Sequence, residues 1–430
     1  MMSASFSFQR AGACSSWGRI VTVAIILHAL LSGCALPDRL AAVPEDRTTT
    51  AEIPGMPGVR YWPDIDLEPM YKEAVESLQR EEEFASRSGV DGPLPPNYFL
   101  AISGGGDGGA FGAGLLAGWT ATGNRPTFRV VTGISTGALI APLAFLGSEY
   151  DQALRELYTD ISSSDIFERR PVTAALFDDA LADSEPMFRL VEREVTAELL
   201  SKIAAEYQKG RLLLVATTDL DARHPVVWNM TKIAAIGNPA ALELFRRVLM
   251  ASAAIPGAFP PVMIDVEAGG ERYQEMHVDG GVMAQLFLYP PTLRFGDLAA
   301  THNVDRERIL YVIRNARLDP DWANVQRRTL HIALRSIGAL IHSQGIGDLY
   351  QLYLTAQRDG LDYNLAYIPA DFDVERKEPF DSEYMHELFE LGFNMARHGY
   401  PWAKHPPGFG PGEVPGALKG EIDTGAGNAD

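Results

Sequence analysis

Short, continuously apolar runs alternate along this chain with longer segments of helical spacing. Strands are predicted at residues 98–103, 128–133, 211–220, 308–318 and 361–373. Helices are predicted around them, at residues 67–88, 110–119, 138–147, 186–207, 239–253, 324–358 and 381–399. Strands that are apolar on both sides have to be covered on both faces, as in parallel sheets. The alternation therefore predicts an α/β fold of three layers, with helices on both faces of a mostly parallel central sheet.

The amino-terminal region has the pattern of a bacterial export signal. Its first 33 residues carry only two charges, Arg10 and Arg19, and an apolar run covers residues 20–31. This run is shorter than the ~20 residues that a membrane-spanning helix needs. It leads into Leu-Ser-Gly-Cys, which ends at Cys34 and resembles the lipobox of bacterial lipoproteins. The resemblance implies removal of residues 1–33 as a signal peptide and a diacylglycerol anchor on Cys34. The alternatives are an uncleaved anchor or a chance cysteine.

Cysteine use and charge bear on where such a protein works. Cleavage before Cys34 removes Cys14 and leaves one cysteine, which can form no intrachain disulfide. A lipid on Cys34 implies the bacterial cell envelope, facing the periplasm, and Ala35 and Leu36 favour the outer membrane by resemblance to enterobacterial sorting. The formal net charge of −19 repels nucleic acid and anionic lipid surfaces. A nucleic-acid partner is therefore excluded, and contact with a membrane requires a lipid anchor or local apolar surface.

Composition divides the chain into four regions. Residues 1–33 form the signal peptide, and residues 34–94 form a tether and an acidic helical segment. The tether is predicted from the polar, Pro/Gly-rich residues 35–60. Residues 95–318 form the catalytic domain, and residues 319–430 form a helical extension of the same domain with a Gly/Pro-rich tail.

A glycine-rich loop follows the first predicted strand. Gly104, Gly106 and Gly109 match the dinucleotide-binding pattern G-x-G-x-x-G. A dinucleotide site also needs an acidic residue at the end of the second strand, which is missing here. The backbone amides of a glycine loop can instead form an oxyanion hole, because no Cβ blocks the approach of the substrate. We therefore favour an oxyanion hole, formed by Gly104, Gly105, Gly106 and Asp107, over a dinucleotide site.

A nucleophile motif takes the place of that acidic residue. The second strand ends in Gly-Ile-Ser-Thr-Gly, residues 133–137, and an apolar helix follows. In G-x-S-x-G the flanking glycines, here Gly133 and Gly137, allow a sharp strand-to-helix turn that exposes the serine. Ser135 is therefore predicted to be a nucleophile near the positive end of a helix.

The base that activates this serine is predicted to be an aspartate. The histidines after Ser135 include His277, His302, His331, His342 and His386. None of them lies in an evident strand-end turn. Asp279 does, because in residues 273–282 it follows a further predicted strand and precedes Gly280 and Gly281.

Taken together, these motifs resemble the patatin-like phospholipases, a family of Ser–Asp acyl hydrolases. The resemblance covers about residues 97–318, and more loosely the helices to about residue 400. It implies Ser135 as nucleophile, Asp279 as base and the glycine loop as oxyanion hole. It also implies lipid esters as substrates, in the manner of a phospholipase A or lysophospholipase, with no metal or organic cofactor.

One position departs from the family pattern. The family usually has Arg or Lys where this chain has Gly108, so the loop lacks a cation that could meet a phosphate. Asp107, which precedes it, is expected to point away from the oxyanion. Two other functions stay open: a Ser-His-Asp esterase, and a non-catalytic lipid-binding lipoprotein. Phe259, Phe287 and Tyr289 are candidates for an acyl pocket or for ordinary core.

Overall fold

The computed structural model describes residues 39–89, 92–170, 179–302 and 304–410. The predicted signal peptide, Cys34 and the chain after residue 410 lie outside these ranges. Within them, no helix combines the length and the apolar character needed to cross a membrane.

Nine of the described strands form one sheet that holds the centre of the fold. The strands are β1 (Arg60–Tyr61), β2 (Asn97–Ile102), β3 (Val130–Gly133), β4 (Glu168–Arg169), β5 (Ala182–Asp183), β6 (Leu212–Asp219), β7 (His224–Asn229), β8 (Val262–Ala268), β9 (Glu271–Asp279), β10 (Arg308–Arg317) and β11 (Asp362–Ile368). Strands β6, β3, β2, β10 and β11 lie side by side and run parallel. Strands β7 and β9 both pair with β6 in antiparallel fashion, and β1 and β8 extend them. The predicted α/β fold with a mostly parallel central sheet is confirmed.

Helices pack around this sheet. They are α1 (Leu67–Arg87), α2 (Gly109–Ala121), α3 (Thr136–Leu146), α4 (Asp151–Thr159), α5 (Ser163–Ile166), α6 (Glu185–Glu194), α7 (Ala197–Tyr207), α8 (Met230–Ile236), α9 (Pro239–Ser252), α10 (Phe295–Thr301), α11 (Thr329–Asp359) and α12 (Ser382–Arg397). The single helix predicted over residues 186–207 is two helices. Thr196 divides them, because its hydroxyl caps α7 by accepting a hydrogen bond from the amide of Leu199 at 3.2 Å.

Glycines let α2 and α12 approach to backbone contact. A Cβ at Gly114 would overlap the carbonyl of Phe389, and a Cβ at Gly118 would overlap that of Phe393. Gly392 meets the carbonyl of Phe111 in the same way from the other helix. Part of the glycine run that begins at residue 104 therefore serves helix packing and not the loop. The contact fixes the carboxy-terminal helix against the helix that follows the glycine loop.

The prediction of a tether over residues 35–60 is wrong for the residues that the structure describes. Ile53, Val59 and Trp62 are buried in the main core, because β1 adds to the edge of the sheet beside β7. The guanidinium of Arg60 forms a buried ion pair with Glu275 of β9. A Pro/Gly-rich composition indicated a flexible linker, but here its turns lead the chain along the sheet edge.

Candidate active site

Three loops meet where the parallel strands end. The glycine loop follows β2, and Ser135 follows the neighbouring strand β3. Asp279 ends β9, which pairs with the far end of β6 through Thr217 opposite Asp279. Because the carboxyl ends of parallel strands share one edge, Ser135, Asp279 and the glycine loop come together there.

Ser135 occupies a strained turn between β3 and α3. Its φ is 56° and its ψ is −126°, a region that costs a non-glycine residue on the order of 1–3 kcal/mol. A Cβ at Gly133 would overlap the backbone of Gly137, and a Cβ at Gly137 would overlap the carbonyl of Ile102. The two glycines of the motif are thus needed for the space they leave. The turn holds Ser135 at the amino terminus of α3.

In the glycine loop, one backbone amide is hydrogen-bonded within the fold and others are free to bind a ligand. The amide of Gly104 donates to the carbonyl of Gln285 at 3.3 Å, so this predicted oxyanion donor is already engaged. Gly105, with φ of 155°, and Gly106, with φ of 57°, begin a short 3-10 helix that leads into α2. Among the described residues no acceptor is recorded for the amides of Gly105 and Gly106. Among the described residues the amide of Asp107 has no acceptor either, so three of the four amides predicted for the oxyanion hole are free to donate.

Asp279 is a buried carboxyl group that lines the same cavity as Ser135. Burial raises the pKa of Asp279 to about 7, although the bonds from the Ser135 hydroxyl and the Gly281 amide oppose the shift. The amide of Gly281 donates to Oδ1 at 2.7 Å. A Cβ at Gly280 would lie 2.5 Å from the carbonyl of Ala216, so the turn can pass β6 only as glycine. An aspartate with a pKa near neutrality can exchange a proton with a serine hydroxyl far better than an ordinary one.

Three polar residues outside the motifs hold the site together. Ser252 accepts from the Ser135 amide at 3.0 Å and donates to a carbonyl of β6 at 2.8 Å. Asn315 at the end of β10 binds Ser103, its amide donating to Oγ at 2.8 Å and its Nδ2 to the carbonyl at 2.9 Å. Gln285 donates to the carbonyl of Gly281 at 2.9 Å and thereby links the base turn to the glycine loop. No local motif in the sequence marks Asn315 or Gln285.

The glycine loop has an ion pair in place of a basic residue of its own. Asp107 is buried, and its Oδ1 accepts from Nη1 of Arg376 at 3.1 Å, so it is turned toward that cation. A Cβ at Gly108 would overlap the carbonyl of Asn315. The close approach of β10 therefore excludes the Arg or Lys that the family carries at this position.

Two cavities meet at Ser135. The outer one has a volume of about 420 Å³, and the glycine loop, Asp279, Gln285, Arg314 and Arg376 are among its lining residues. The inner one is narrower, about 70 Å³, and almost wholly apolar. Helices α3 and α6 supply the largest shares of its wall, and Leu139, Met187, Leu190, Leu199 and Leu249 are among the lining residues. Ser135 thus stands between a wide cavity whose wall includes two arginines and a small apolar cavity.

The three aromatic candidates for an acyl pocket line two different cavities. Phe259 lines the inner cavity. Phe287 and Tyr289 line a different cavity, near Asp348 and Leu352, that contains neither Ser135 nor Asp279.

The histidines differ sharply in their surroundings. His277 is fully buried in the sheet, where Thr217 and Glu275 bind its two ring nitrogens at 2.9 and 3.1 Å. His302, His331 and His386 are exposed. His342 lines the outer cavity, and burial together with nearby Arg314 lowers its pKa. Among the described residues no hydrogen bond joins a histidine to Ser135 or Asp279.

One buried group of residues has the composition of a metal site. Oxygen and nitrogen atoms of Asp219, Glu275 and His277 lie within 4.8 Å of one another. Glu275 already has the guanidinium of Arg60 and the ring of His277 as partners. The ion pair with Arg60 supplies the positive charge that a metal would bring, so the group is accounted for without one.

Comparisons with known proteins agree with this fold and site. Residues 100–290 match the family described as patatin-like phospholipase. The matched residues include the glycine loop, the turn at Ser135 and Asp279, and this part of the chain is similar to the lipid acyl hydrolases of that family. The resemblance predicted from the motifs is confirmed, as is the class of enzyme. No curated protein matches the sequence.

Solved structures of three proteins are distantly similar. VipD from Legionella pneumophila is 11% identical, with a TM-score of 0.36, and 71% of this chain and 66% of that chain are covered. The type III effector protein ExoU is 13% identical, with 71% and 53% covered and a TM-score of 0.28. Human GIVD cytosolic phospholipase A2 is 10% identical, with 74% and 54% covered and a TM-score of 0.30. The chain thus spans about half to two thirds of the length of these structures.

Proposed function

We propose that the protein hydrolyses carboxylic ester bonds of lipids with Ser135 as nucleophile and Asp279 as base. The observation that carries this proposal is that Ser135 shares a cavity wall with a buried carboxyl group, Asp279, whose pKa is raised to about 7 by burial and lowered again by the Ser135 hydroxyl. A carboxylate with that pKa is partly ionised at neutral pH and basic enough to accept the proton of an attacking hydroxyl.

The steps follow from the positions of the groups. Ser135 Oγ attacks the ester carbonyl carbon while its proton passes to Asp279. The amides of Gly105 and Gly106 stabilise the oxyanion, and the proton on Asp279 then moves to the leaving alcohol. Water attacks the acyl-enzyme, with Asp279 accepting the proton of the water and returning it to Ser135.

The two cavities differ in a way that suits the two parts of a lipid ester, the acyl chain and the alcohol. The inner cavity suits a single acyl chain, because it is narrow and apolar and ends at Ser135. The outer cavity suits the alcohol part of the ester, because it is wider and contains Arg314 and Arg376.

The position of Arg314 indicates that the alcohol part of the substrate carries an anionic group. Arg314 is 2% exposed, and the nearby carboxyl group of Asp348 favours its charged form, but among the described residues no carboxylate forms an ion pair with it. Burial lowers the pKa of Arg314 to about 10, which still leaves it charged at neutral pH. A buried cation without an ion-pair partner is costly unless a ligand provides the counter-charge. We therefore propose a phosphate-bearing substrate, with Arg314 supplying the cation that Gly108 cannot.

The dyad is tested by three variants. Ser135→Ala and Asp279→Asn should each lower hydrolysis of a short-chain aryl ester by orders of magnitude, and the double variant should be little worse than either, because the two groups act as a unit. A fluorophosphonate probe should label the wild type and the control Ser164→Ala, which removes an exposed serine, but not Ser135→Ala. Near wild-type turnover by folded Asp279→Asn would exclude the Ser–Asp mechanism.

The Ser-His-Asp alternative now concerns His342 above all, because this histidine shares the outer cavity with Ser135. On the Ser–Asp mechanism, His342→Ala should cost no more than about tenfold in rate, or about 1.4 kcal/mol of barrier. A loss of several decades with retained folding would favour the triad. A chain that binds lipid without labelling by the probe would favour the non-catalytic alternative.

The phosphate assignment is tested by comparing substrates. Arg314→Gln should raise KM for a phospholipid well above the wild-type value but leave turnover of an uncharged aryl ester nearly unchanged. Arg272→Gln, which removes an exposed arginine of β9, is the control. Equal losses on both substrates would show a structural role for Arg314.

We also propose that Cys34 carries a lipid anchor in the cell envelope, on the basis of the Leu-Ser-Gly-Cys motif alone. Cys34→Ser should then move the protein out of the detergent phase in a phase-partitioning assay. Unchanged partitioning would contradict the anchor.

A further inference from the structure

Exposed apolar side chains gather beside the outer cavity. We call the set the apolar rim. Its members are Val282, Met283, Trp322, Ile332, Ile337 and Leu340. Trp322 is 89% exposed and Leu340 is 70% exposed, far more than side chains of this size usually are. Large apolar side chains exposed next to one another mark a surface that meets another apolar phase.

The members of the rim come from neighbouring parts of the fold. Ile332, Ile337 and Leu340 lie on the first half of α11. The Arg335–Asp321 ion pair, at 2.8 Å, holds the segment with Trp322 beside this half-helix. Val282 and Met283 follow the base turn, and Gln344 of α11 donates to the carbonyl of Met283.

The same surface opens onto the catalytic cavity. Gly338, Ile341 and His342 line the outer cavity, and they alternate along α11 with Ile337 and Leu340 of the rim. Val282 belongs both to the rim and to the cavity wall. Whatever covers the rim therefore has direct access to Ser135.

The charge of this region is opposite to that of the whole chain. The chain has a formal net charge of −19, but residues 321–347 contain Arg327, Arg328 and Arg335 against a single acid, Asp321, which is paired with Arg335. In the described part of the chain, no carboxylate is paired with Arg327 or Arg328, and both are exposed. Arginines flanking exposed Trp, Leu and Ile are typical of segments that lie in the interface of an anionic membrane.

We infer that the apolar rim docks the protein on the surface of a bilayer that contains anionic lipid. The rim inserts its apolar side chains at the level of the headgroups, while Arg327 and Arg328 contact lipid phosphates. The outer cavity then faces the membrane, so that a lipid can enter from the bilayer without crossing water. The benefit to catalysis rests on the proposed lipid substrate, but the docking itself does not.

The depth of Trp322 tests the docking directly. The full chain is mixed with vesicles of phosphatidylethanolamine and phosphatidylglycerol, with and without bromine on the acyl chains. Bromine should quench the fluorescence that is present in the wild type and missing in Trp322→Phe. Quenching that is the same in both proteins would overturn the inference, whether or not Cys34 is acylated.

Charged substitutions in the apolar rim test whether docking is needed for hydrolysis of lipid in vesicles. Ile337→Glu with Leu340→Glu should lower hydrolysis of the vesicle lipid at least tenfold and leave turnover of a soluble aryl ester unchanged. Leu354→Glu is the matched control, because Leu354 is 57% exposed on the same helix, but about 21 Å farther along it at 1.5 Å per residue. Arg327→Gln with Arg328→Gln should weaken binding to these vesicles about tenfold and binding to phosphatidylcholine vesicles much less.

The outcomes separate docking from catalysis. A wild type that lacks ester turnover but shows quenching of Trp322 would contradict the proposed function and support the docking. Vesicle hydrolysis by the double glutamate variant at the wild-type rate would overturn the docking and leave the proposed function intact. A double variant that fails to fold leaves the quenching experiment to decide.

Discussion

At the scale of single residues, burial explains how an aspartate can take the place of a histidine base. An ordinary aspartate, with a pKa near 4, is a poor acceptor for a serine proton. Desolvation raises the pKa of Asp279 to about 7, close to that of histidine. The bonds from Ser135 and Gly281 lower it again and keep the ionised form accessible.

The first prediction concerns the pH dependence of this residue. The base works only when it is ionised, so kcat/KM for an uncharged ester should rise about tenfold per pH unit at acidic pH. It should level off above an apparent pKa of about 7. The measurement is kcat/KM from pH 5 to pH 9 with a substrate that does not titrate. A plateau that extends down to pH 5 would mean that the carboxyl group is well solvated.

Motifs indicated the groups that we propose to react, but not the residues that position them. Ser135 and Asp279 could be found because sharp turns at strand ends require glycine neighbours, which leave a local pattern. Gln285 and Asn315 act through contacts with distant loops, and a polar residue at such a place has no local signature. The same holds for Arg376, which lies far along the chain from its partner Asp107.

At the scale of elements, the contact between α2 and α12 ties the glycine loop to the end of the described chain. The two helices touch backbone to backbone at Gly114, Gly118 and Gly392. Since α2 begins directly after the glycine loop, a shift of this helix would move the amides of Gly105 and Gly106.

The second prediction tests this close approach. Gly114→Ala should destabilise the protein by about 1 to 3 kcal/mol, because the new methyl group overlaps the carbonyl of Phe389. Gly347→Ala is the matched control, since it lies in α11 with no atom within 4 Å of the added Cβ. The control should gain up to about 1 kcal/mol from better helix propensity. Urea unfolding measures both, and equal effects would contradict the packing argument.

Periodicity predicted the buried elements well and the edge of the sheet poorly. Strands β2, β3, β6 and β10 were found within about two residues, because they are apolar throughout and lie in the middle of the sheet. Strand β1 was missed, since two residues carry no period, and the residues before it were interpreted as a tether. Their burial depends on an edge that β7 provides from a distant part of the sequence.

At the scale of the whole molecule, the buried carboxyl groups of the site lower the stability of the fold as the pH rises. A carboxyl group whose pKa is raised on folding binds its proton more tightly in the folded than in the unfolded state. Its contribution to stability is therefore lost as the pH rises from its ordinary pKa to the raised one. Asp279, raised to about 7, and Asp348, raised to about 6 by burial, both act in this direction.

The last prediction concerns the contribution of Asp279 alone to the pH dependence of stability. With a pKa of 3.8 when unfolded and about 7 when folded, this group should remove about 2 to 3 kcal/mol of stability between pH 5 and pH 8. Asp279→Asn cannot ionise, so its stability relative to the wild type should increase by that amount over the same interval, while its ester turnover is lost. Urea unfolding of both proteins at several pH values measures the difference. A difference that stays constant from pH 5 to pH 8 would show that Asp279 is not desolvated, and the site would then lack the property that makes an aspartate an effective base.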